Sequence, residues 1–495
     1  MLLGFLTALI TVITVPSMVQ ADSRDHERSP RKGDFGMLME KLLNRKSEKY
    51  FGVEKPLKNS APKVDVPYRS EDQEAGEQLL SAHGLKIEYL TRIVGNKADQ
   101  MAFYPMENPT HIIACIEGGR EVIGSNADGS DKYNPSLQNI DLVTGEVTVI
   151  LRGMNRCDGI RTTPWGTILA TEETNDGGAY EILNPLNVLE QSVISRTTGE
   201  TTDPSRVAQR ISLPTMAWEG LTVLPSGVVI GGDELRPGSG VQDSDGGSIF
   251  KFIPDNPHSG GNISGIDESP LASGSVYAMQ ISCREVTSSR FPQYGQGCET
   301  GHGNWVWVNA GQARSDANAA GATGYYRPED LHTDTMFYDA GNPNAVRFCW
   351  TNTGREKAAN YGEVMCAVDE NPIDSKSLVI ASRFVEGDGD FNSFDNLAFQ
   401  PVTGNLYVIE DHPNGDVFGC LPDGADRNIK SDGCIKVLSV KDSSAEPTGF
   451  IFSPDGKTAY VNIQHSNDGL MPMYDDYPTD DLLKITGFEV KHSRD

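Results

Sequence analysis

The chain has 495 residues and carries 42 Lys and Arg against 69 Asp and Glu, a formal net charge of −27. So few cations argue against a nucleic-acid surface and against docking on anionic lipid, since both need Lys and Arg to meet phosphate. The excess of carboxylates fits a soluble secreted protein or a site that gathers cations.

Leu2 to Val15 is apolar, interrupted by Gly4, Thr7, Thr11 and Thr14. Pro16 ends the run, and Val19-Gln20-Ala21 offers the small side chains that a signal peptidase reads. Residues 1–21 read as a cleaved signal peptide, because the run is shorter than the ~20 residues of a spanning helix. The protein is therefore expected to be secreted or periplasmic, with no stable membrane span. Residues 22–66 read as a loosely held extension with one short helix near Phe35 to Leu43, where Met37, Leu38 and Leu42 recur at helical spacing. Residues 67–495 read as a single β domain and a monomer.

The eight cysteines invite disulfides in an exported chain. Cys283 with Cys298 and Cys420 with Cys434 each enclose a polar loop and are the first expected pairs; Cys349 with Cys366 is a further one.

From about Ala102 one pattern recurs: a β-rich run, a tight polar turn, then a second β-rich run that ends on acids. It appears at residues 163–173, 221–234, 397–411 and 450–463, with Pro-Trp-Gly, Pro-Ser-Gly, Val-Thr-Gly-Asn and Pro-Asp-Gly as turns. Copies about 55 residues apart match the scale of propeller repeats. The expected fold is all-β: a six-bladed β-propeller with long inserted loops and a short helical N-terminal extension.

In a propeller the loops of successive blades converge on one face, so acids at equivalent hairpin positions meet around one axis. Clustered carboxylates repel unless cations sit among them, and oxygen-rich clusters suit Ca²⁺. The candidates are Glu172, Glu173, Glu219, Asp233, Glu234, Glu329, Asp330, Asp395, Asn396, Glu410, Asp411 and Glu446. Cys157 stands apart. As a thiolate it would suit iron or zinc; the other reading is a half-cystine with Cys115. Arg327 sits two residues before Glu329, and its guanidinium could hold a phosphate or carboxylate in two-pronged fashion.

The segment from Asn155 through Cys157 and Pro164-Trp165-Gly166 to Glu172-Glu173 resembles the signature of the PhoX-type alkaline phosphatases. Trp218-Glu219-Gly220, Arg327-Pro328-Glu329-Asp330, Asp395-Asn396-Leu397-Ala398 and the tract from Glu446 to His465 match further motifs in order. Asp158 and Ile168-Leu169-Ala170 differ from the commonest form of the first motif. The resemblance implies a calcium and iron (Ca²⁺, Fe³⁺) cluster in the propeller channel that cleaves a small-molecule phosphate monoester. Cys157 would then ligate iron, and Glu172, Glu173, Glu219 and Glu329 would hold iron and calcium. Asp395, Asn396 and Glu446 would complete the calcium shell, and Arg327 would hold the substrate phosphate. Two rivals are a calcium-dependent lactonase-like hydrolase, set apart by lacking a thiolate ligand, and a non-catalytic calcium-binding propeller.

Overall fold

The computed structural model describes residues 35–65, 68–238, 245–282, 298–422, 433–464 and 471–490. The signal-peptide segment and Cys283 lie outside the described residues. Among the described residues no helix is long and apolar enough to cross a membrane.

The fold is all-β. Its construction unit is the hairpin expected from the sequence. In four of these hairpins a glycine at positive φ closes the turn: Gly166, Gly227, Gly404 and Gly456. At Gly227 and Gly456 the turn is locked by backbone bonds, Gly227 N to Leu224 O at 2.9 Å and Gly456 N to Ser453 O at 2.8 Å. A side chain there would strain the left-handed backbone that the turn requires.

Six strands come first in their hairpins: Ala98–Tyr104, Cys157–Thr162, Trp218–Val223, Pro328–Thr333, Phe394–Phe399 and Glu446–Phe452. Each packs against the next, and the last packs against the first, so together they form a ring. From each inner strand a meander runs outward. The third and fourth meanders are joined at their rims by Gly301–Val308, which pairs with Gly274–Ile281 on one side and Val379–Glu386 on the other, giving one nine-stranded sheet. Neighbouring inner strands approach so closely that a Cβ on Gly159 would stand 2.1 Å from Glu219 O, and one on Gly220 would stand 2.0 Å from Leu331 N. Only glycine fits at those two places.

The N-terminal segments close the molecule. Lys86–Gly95 pairs with the C-terminal strand Thr479–Thr486, and Leu79–Ser81 adds to the edge of Cys434–Val440. The expected helix exists as Phe35–Tyr50. The described part of the extension, residues 35–65, is packed on the ring. Leu43, Phe51 and Val53 are each 1 % exposed and share a core cluster with Tyr407, Phe450 and Phe488. Apolar burial, at about 25 cal/mol per Å², fixes it to the ring. Two expected disulfides are present, Cys349–Cys366 and Cys420–Cys434, with Cα separations of 4.0 and 3.9 Å. Both bridge residues directly opposite each other on paired strands.

Arg69 clamps the closure. Its buried guanidinium meets Asp481 in two-pronged fashion at 2.8 and 2.7 Å and donates to Thr479 O at 2.6 Å. Neither side chain has any exposure. Removing Arg69 takes a buried two-pronged partner from Asp481, which keeps Arg92 at 3.0 Å, and the lost hydrogen bonds cost about 1–3 kcal/mol. Arg69→Ala is therefore expected to lower the unfolding free energy by that amount in urea titrations. A loss below about 1 kcal/mol would show that the clamp contributes little.

Candidate metal centre

The inner strands share one irregularity. In each hairpin, three residues at the start of the inner strand face only two on its partner, as where Ala98 pairs with Ile116 but Met101 with Ala114. The same slip occurs after Cys157, Trp218, Pro328, Phe394 and Thr448. A β-bulge of this kind re-aims a side chain. The residue that follows the last regular pair is Asp99, Asp158, Glu219, Glu329 and Asp395 in turn, and Gly449 in the sixth hairpin. These five carboxylates are buried, and they approach one another together with Glu117 and Glu173. Ligand oxygens of Asp99, Glu117 and Asp158 lie within 4.8 Å of one another, as do those of Asp158, Glu173 and Glu219, and those of Glu219, Glu329 and Asp395. Shared members link the three groups into one continuous cluster.

A second tier comes from the partner strands. Each ends on a residue whose backbone N–H donates to the carbonyl just before the inner strand. The donor–acceptor pairs are Glu117 to Lys97, Glu173 to Arg156, Glu234 to Ala217, Thr353 to Arg327 and Asp411 to Ser393. Consecutive strand residues point to opposite faces. In the acidic doublets the second member therefore faces the channel and the first faces back into the sheet. Glu172 accepts from Asn155 N at 2.8 Å and Gly178 N at 3.1 Å and pairs with Arg196 at 2.8 Å. Asp233 accepts from Ala217 N at 3.0 Å and pairs with Arg314. Glu410 accepts from Asn392 N at 2.8 Å and Asp416 N at 3.0 Å, and His412, pushed up to about 9 mainly by its bond to Glu410 against the pull of burial, stands at 3.4 Å.

Several sequence expectations are corrected here. Glu172 is not in the cluster; it is the sheet-facing member of its doublet, neutralised by Arg196. Cys157 is not a free thiolate. It is disulfide-bonded to Cys115 with Cα atoms 5.1 Å apart, inside an apolar cluster with Ile160 and Ile168. Alternation explains this: Cys157 lies on the sheet side of the bulge and Asp158 on the channel side. Asn396 is a strut, donating to Asp395 Oδ1 at 3.0 Å and accepting from Gly449 N at 2.5 Å. Asp330 likewise ties strands together, accepting from Arg161 at 2.8 Å and Leu397 N at 3.1 Å. Glu173, Glu219, Glu329 and Asp395 are among the carboxylates that the ring brings together. Glu446 sits at the edge, hydrogen-bonded to Asp411. Asp99, Glu117 and Asp158 were missed as cluster members. The Ala98–Ile116 hairpin has no Pro-x-Gly turn to mark it, and an acid beside Cys157 draws less notice than the cysteine.

Burial drives the electrostatics. It holds Asp99, Asp158, Glu173, Glu219, Glu329, Asp395 and Glu446 well above the ordinary carboxylate range, and their mutual repulsion adds to it. Glu234 goes the other way. Burial pushes it up, but Arg327 and a hydrogen bond from Glu173 bring it below its usual value.

Two guanidiniums enter the ring. Arg327 meets Glu234 at 2.6 Å, Glu329 at 3.0 Å and Asp411 at 3.2 Å. Arg156 pairs with Glu117 and Glu173. A residue before proline ordinarily takes extended backbone, yet Arg327, which precedes Pro328, has φ 57°. The left-handed turn at this residue directs its side chain to the channel, at a cost of roughly 1–2 kcal/mol.

Asp99 Oδ1 and Asp158 Oδ1 are buried and accept no hydrogen bond among the described residues. Such oxygens are free to take a cation that prefers oxygen. The donor set is carboxylate throughout, which fits calcium or another hard divalent ion. It does not fit iron held through Cys157, whose sulfur is already bonded.

The arrangement is an acidic cluster able to hold metal ions, set in an all-β ring. The comparisons narrow this class. A family model described as alkaline phosphatase PhoX matches residues 240–467, a span that contains Arg327, Glu329, Asp395 and Glu446 but not the Cys157 motif. Among solved structures, Pseudomonas fluorescens PhoX in complex with vanadate, a transition state analogue, aligns with TM-score 0.56 and 14% identity, covering 87% of this chain and 97% of that one. A putative gluconolactonase (TM-score 0.39, 10% identity, 82% and 93% covered) and a luciferin-regenerating enzyme (0.40, 9%, 82% and 97%) align more loosely. No curated protein matches. The chain resembles the PhoX alkaline phosphatases and shares their fold.

Two predictions follow from the tiers. In chelated protein the raised carboxyl groups stabilise the fold while protonated. That contribution is complete below about pH 4, the unfolded carboxylate range, and is lost as pH rises to neutrality. Calorimetry in EDTA is expected to show Tm falling from pH 5 to 8, and added calcium restoring it. A chelated Tm that holds or rises over that span would contradict the account. Separately, Glu172→Gln is expected to cost about 1–3 kcal/mol of stability and keep calcium affinity, whereas Glu219→Gln stabilises the chelated protein and weakens calcium. Titration calorimetry and melting curves on both variants check this.

Proposed function

We propose that this chain is a calcium-dependent phosphatase of the PhoX type, hydrolysing phosphate monoesters at the channel cluster, and that its ring is a six-bladed propeller. The observation that carries the reading is Arg327, a fixed guanidinium set among buried carboxylates at the mouth of the channel. The PhoX family match spans that residue and supports it.

The chain's residues divide the work. Asp99, Asp158, Glu173, Glu219, Glu329 and Asp395 would hold the ions, with Glu117, Asp411 and Glu446 around them. Bound calcium would supply positive charge to the phosphoryl oxygens and offset the repulsion among the carboxylates. Arg327 would bind two equatorial oxygens of the ester with its parallel N–H groups. Glu234 and Asp411 grip the same guanidinium and limit its rotation, so little reorganisation is needed during the reaction. Tyr326, the chain neighbour of Arg327, lines a cavity of about 310 Å³ together with Tyr325 and Tyr361, which would have room for the alcohol portion of the ester. Export through residues 1–21 suits the disulfides, which persist in oxidising compartments.

One observation reopens the lactonase-like alternative. The sequence set that rival apart by a thiolate ligand, and Cys157 is not free. The separation now rests on Arg327, since lactone hydrolysis passes through a single oxyanion and has no dianion to clamp. Arg327→Ala is expected to lower kcat/KM on p-nitrophenyl phosphate about 10³-fold, and Arg327→Lys is expected to recover little of it. Turnover of the Ala variant within threefold of wild type would refute the role. Lactone hydrolysis without phosphate-ester hydrolysis by the wild type would install the alternative.

A further inference from the structure

Arg327 has a counterpart created by the repeat. Each of Lys97, Arg156, Arg327 and Ser393 immediately precedes an inner strand and has positive φ, at 68°, 57°, 57° and 54°. Each accepts, through its carbonyl, the N–H of the residue ending the partner strand. Arg156 and Arg327 therefore hold the same place in their units, with the same φ, and one unit lies between them. That intervening unit has Ala217 in the position and contributes Glu234 to the channel.

The two arginines are bridged by one carboxyl pair. Arg327 holds Glu234, Glu234 is hydrogen-bonded to Glu173, and Glu173 pairs with Arg156. They differ in access. The Arg327 side chain is 18 % exposed, whereas that of Arg156 is 43 % exposed, although its partners Glu117 and Glu173 are only 12 % and 10 % exposed. Arg156 thus reaches from the buried carboxylates to solvent. Its partners are also carboxylates of the ion cluster. When ions draw on those oxygens, the guanidinium loses part of its pairing and needs another anion.

We propose that Arg156 is a second phosphate-binding residue, which contacts the phosphoryl oxygens of the substrate across the channel mouth from Arg327. This rests on the phosphatase reading. It extends that reading from one clamp to two opposed clamps, a geometry that selects the dianionic phosphoryl group over a carboxylate, which has only one pair of oxygens to share. Lys97, the third cation in the repeat position, lies next along the ring and lowers the charge around Glu117.

The test uses the calcium-loaded full chain with inorganic phosphate as probe, in titration calorimetry, alongside p-nitrophenyl phosphate turnover. Arg156→Gln is expected to weaken inorganic phosphate tenfold or more, with calcium content kept, and to raise KM for the ester. Arg156→Lys, which keeps the charge and protects the fold, is expected to weaken phosphate at least threefold by losing the planar donors. If the wild type turns over the ester but both variants bind phosphate within threefold of it, the Arg156 assignment is overturned while the phosphatase reading stands. If the wild type neither binds phosphate nor hydrolyses the ester, the phosphatase reading itself fails. A fall in Tm with phosphate affinity intact would mark Arg156 as a structural ion pair and also overturn the proposal.

Discussion

Asp99, Asp158, Glu219, Glu329 and Asp395 repel one another in a space that shields them poorly, and the rest of the channel is arranged around that repulsion. Two unit charges 4 Å apart interact by about 4 kcal/mol at an effective dielectric constant near 20. Several such pairs would exceed the 5–15 kcal/mol stability of an ordinary domain if all were ionised and uncompensated. Protons, guanidiniums and cations are the available remedies. Arg156 and Arg327 supply the fixed part, protons serve the chelated protein, and cations that favour oxygen serve the loaded one.

The repeat concentrates charge without burying it at random. Strand alternation sends one acid of each doublet into the sheet, where Arg196, Arg314 or His412 neutralises it, and the other into the channel. The sheet-facing acid caps backbone N–H groups that the bulge leaves without strand partners, as Glu172 does for Asn155. Structure and site are thus made by neighbouring residues with opposite tasks. This explains why two adjacent glutamates, Glu172 and Glu173, cannot exchange roles.

Much of the fold could be read from the sequence because turn glycines and β-branched runs act locally. The hairpins at residues 163–173, 221–234, 397–411 and 450–463 all form. The ring of acids was also readable in outline, since Glu219, Glu329 and Asp395 follow the same apolar-acid step into an inner strand. What the sequence hid was phase. A one-residue bulge decides that Asp158 faces the channel and Cys157 faces Cys115, and no local propensity marks that slip. The left-handed backbone of Arg327 was hidden for a related reason. The residue before a proline is expected to be extended, but here the carbonyl of Arg327 is held by Thr353 N at 3.2 Å, a contact made by a residue 26 positions on. The Asp99 and Glu117 pair lay in a hairpin without a recognisable turn.

The central claim is that bulge-aimed carboxylates, with no thiolate among them, form a centre for hard cations. Elemental analysis of protein purified without chelators, paired with its visible absorption spectrum, tests this most directly. The account predicts calcium bound to the chain, no thiolate-to-iron absorption band, and calcium lost when Asp158 and Glu219 are both replaced by their amides. Iron bound with such a band, or a chain that holds no divalent cation, would contradict it.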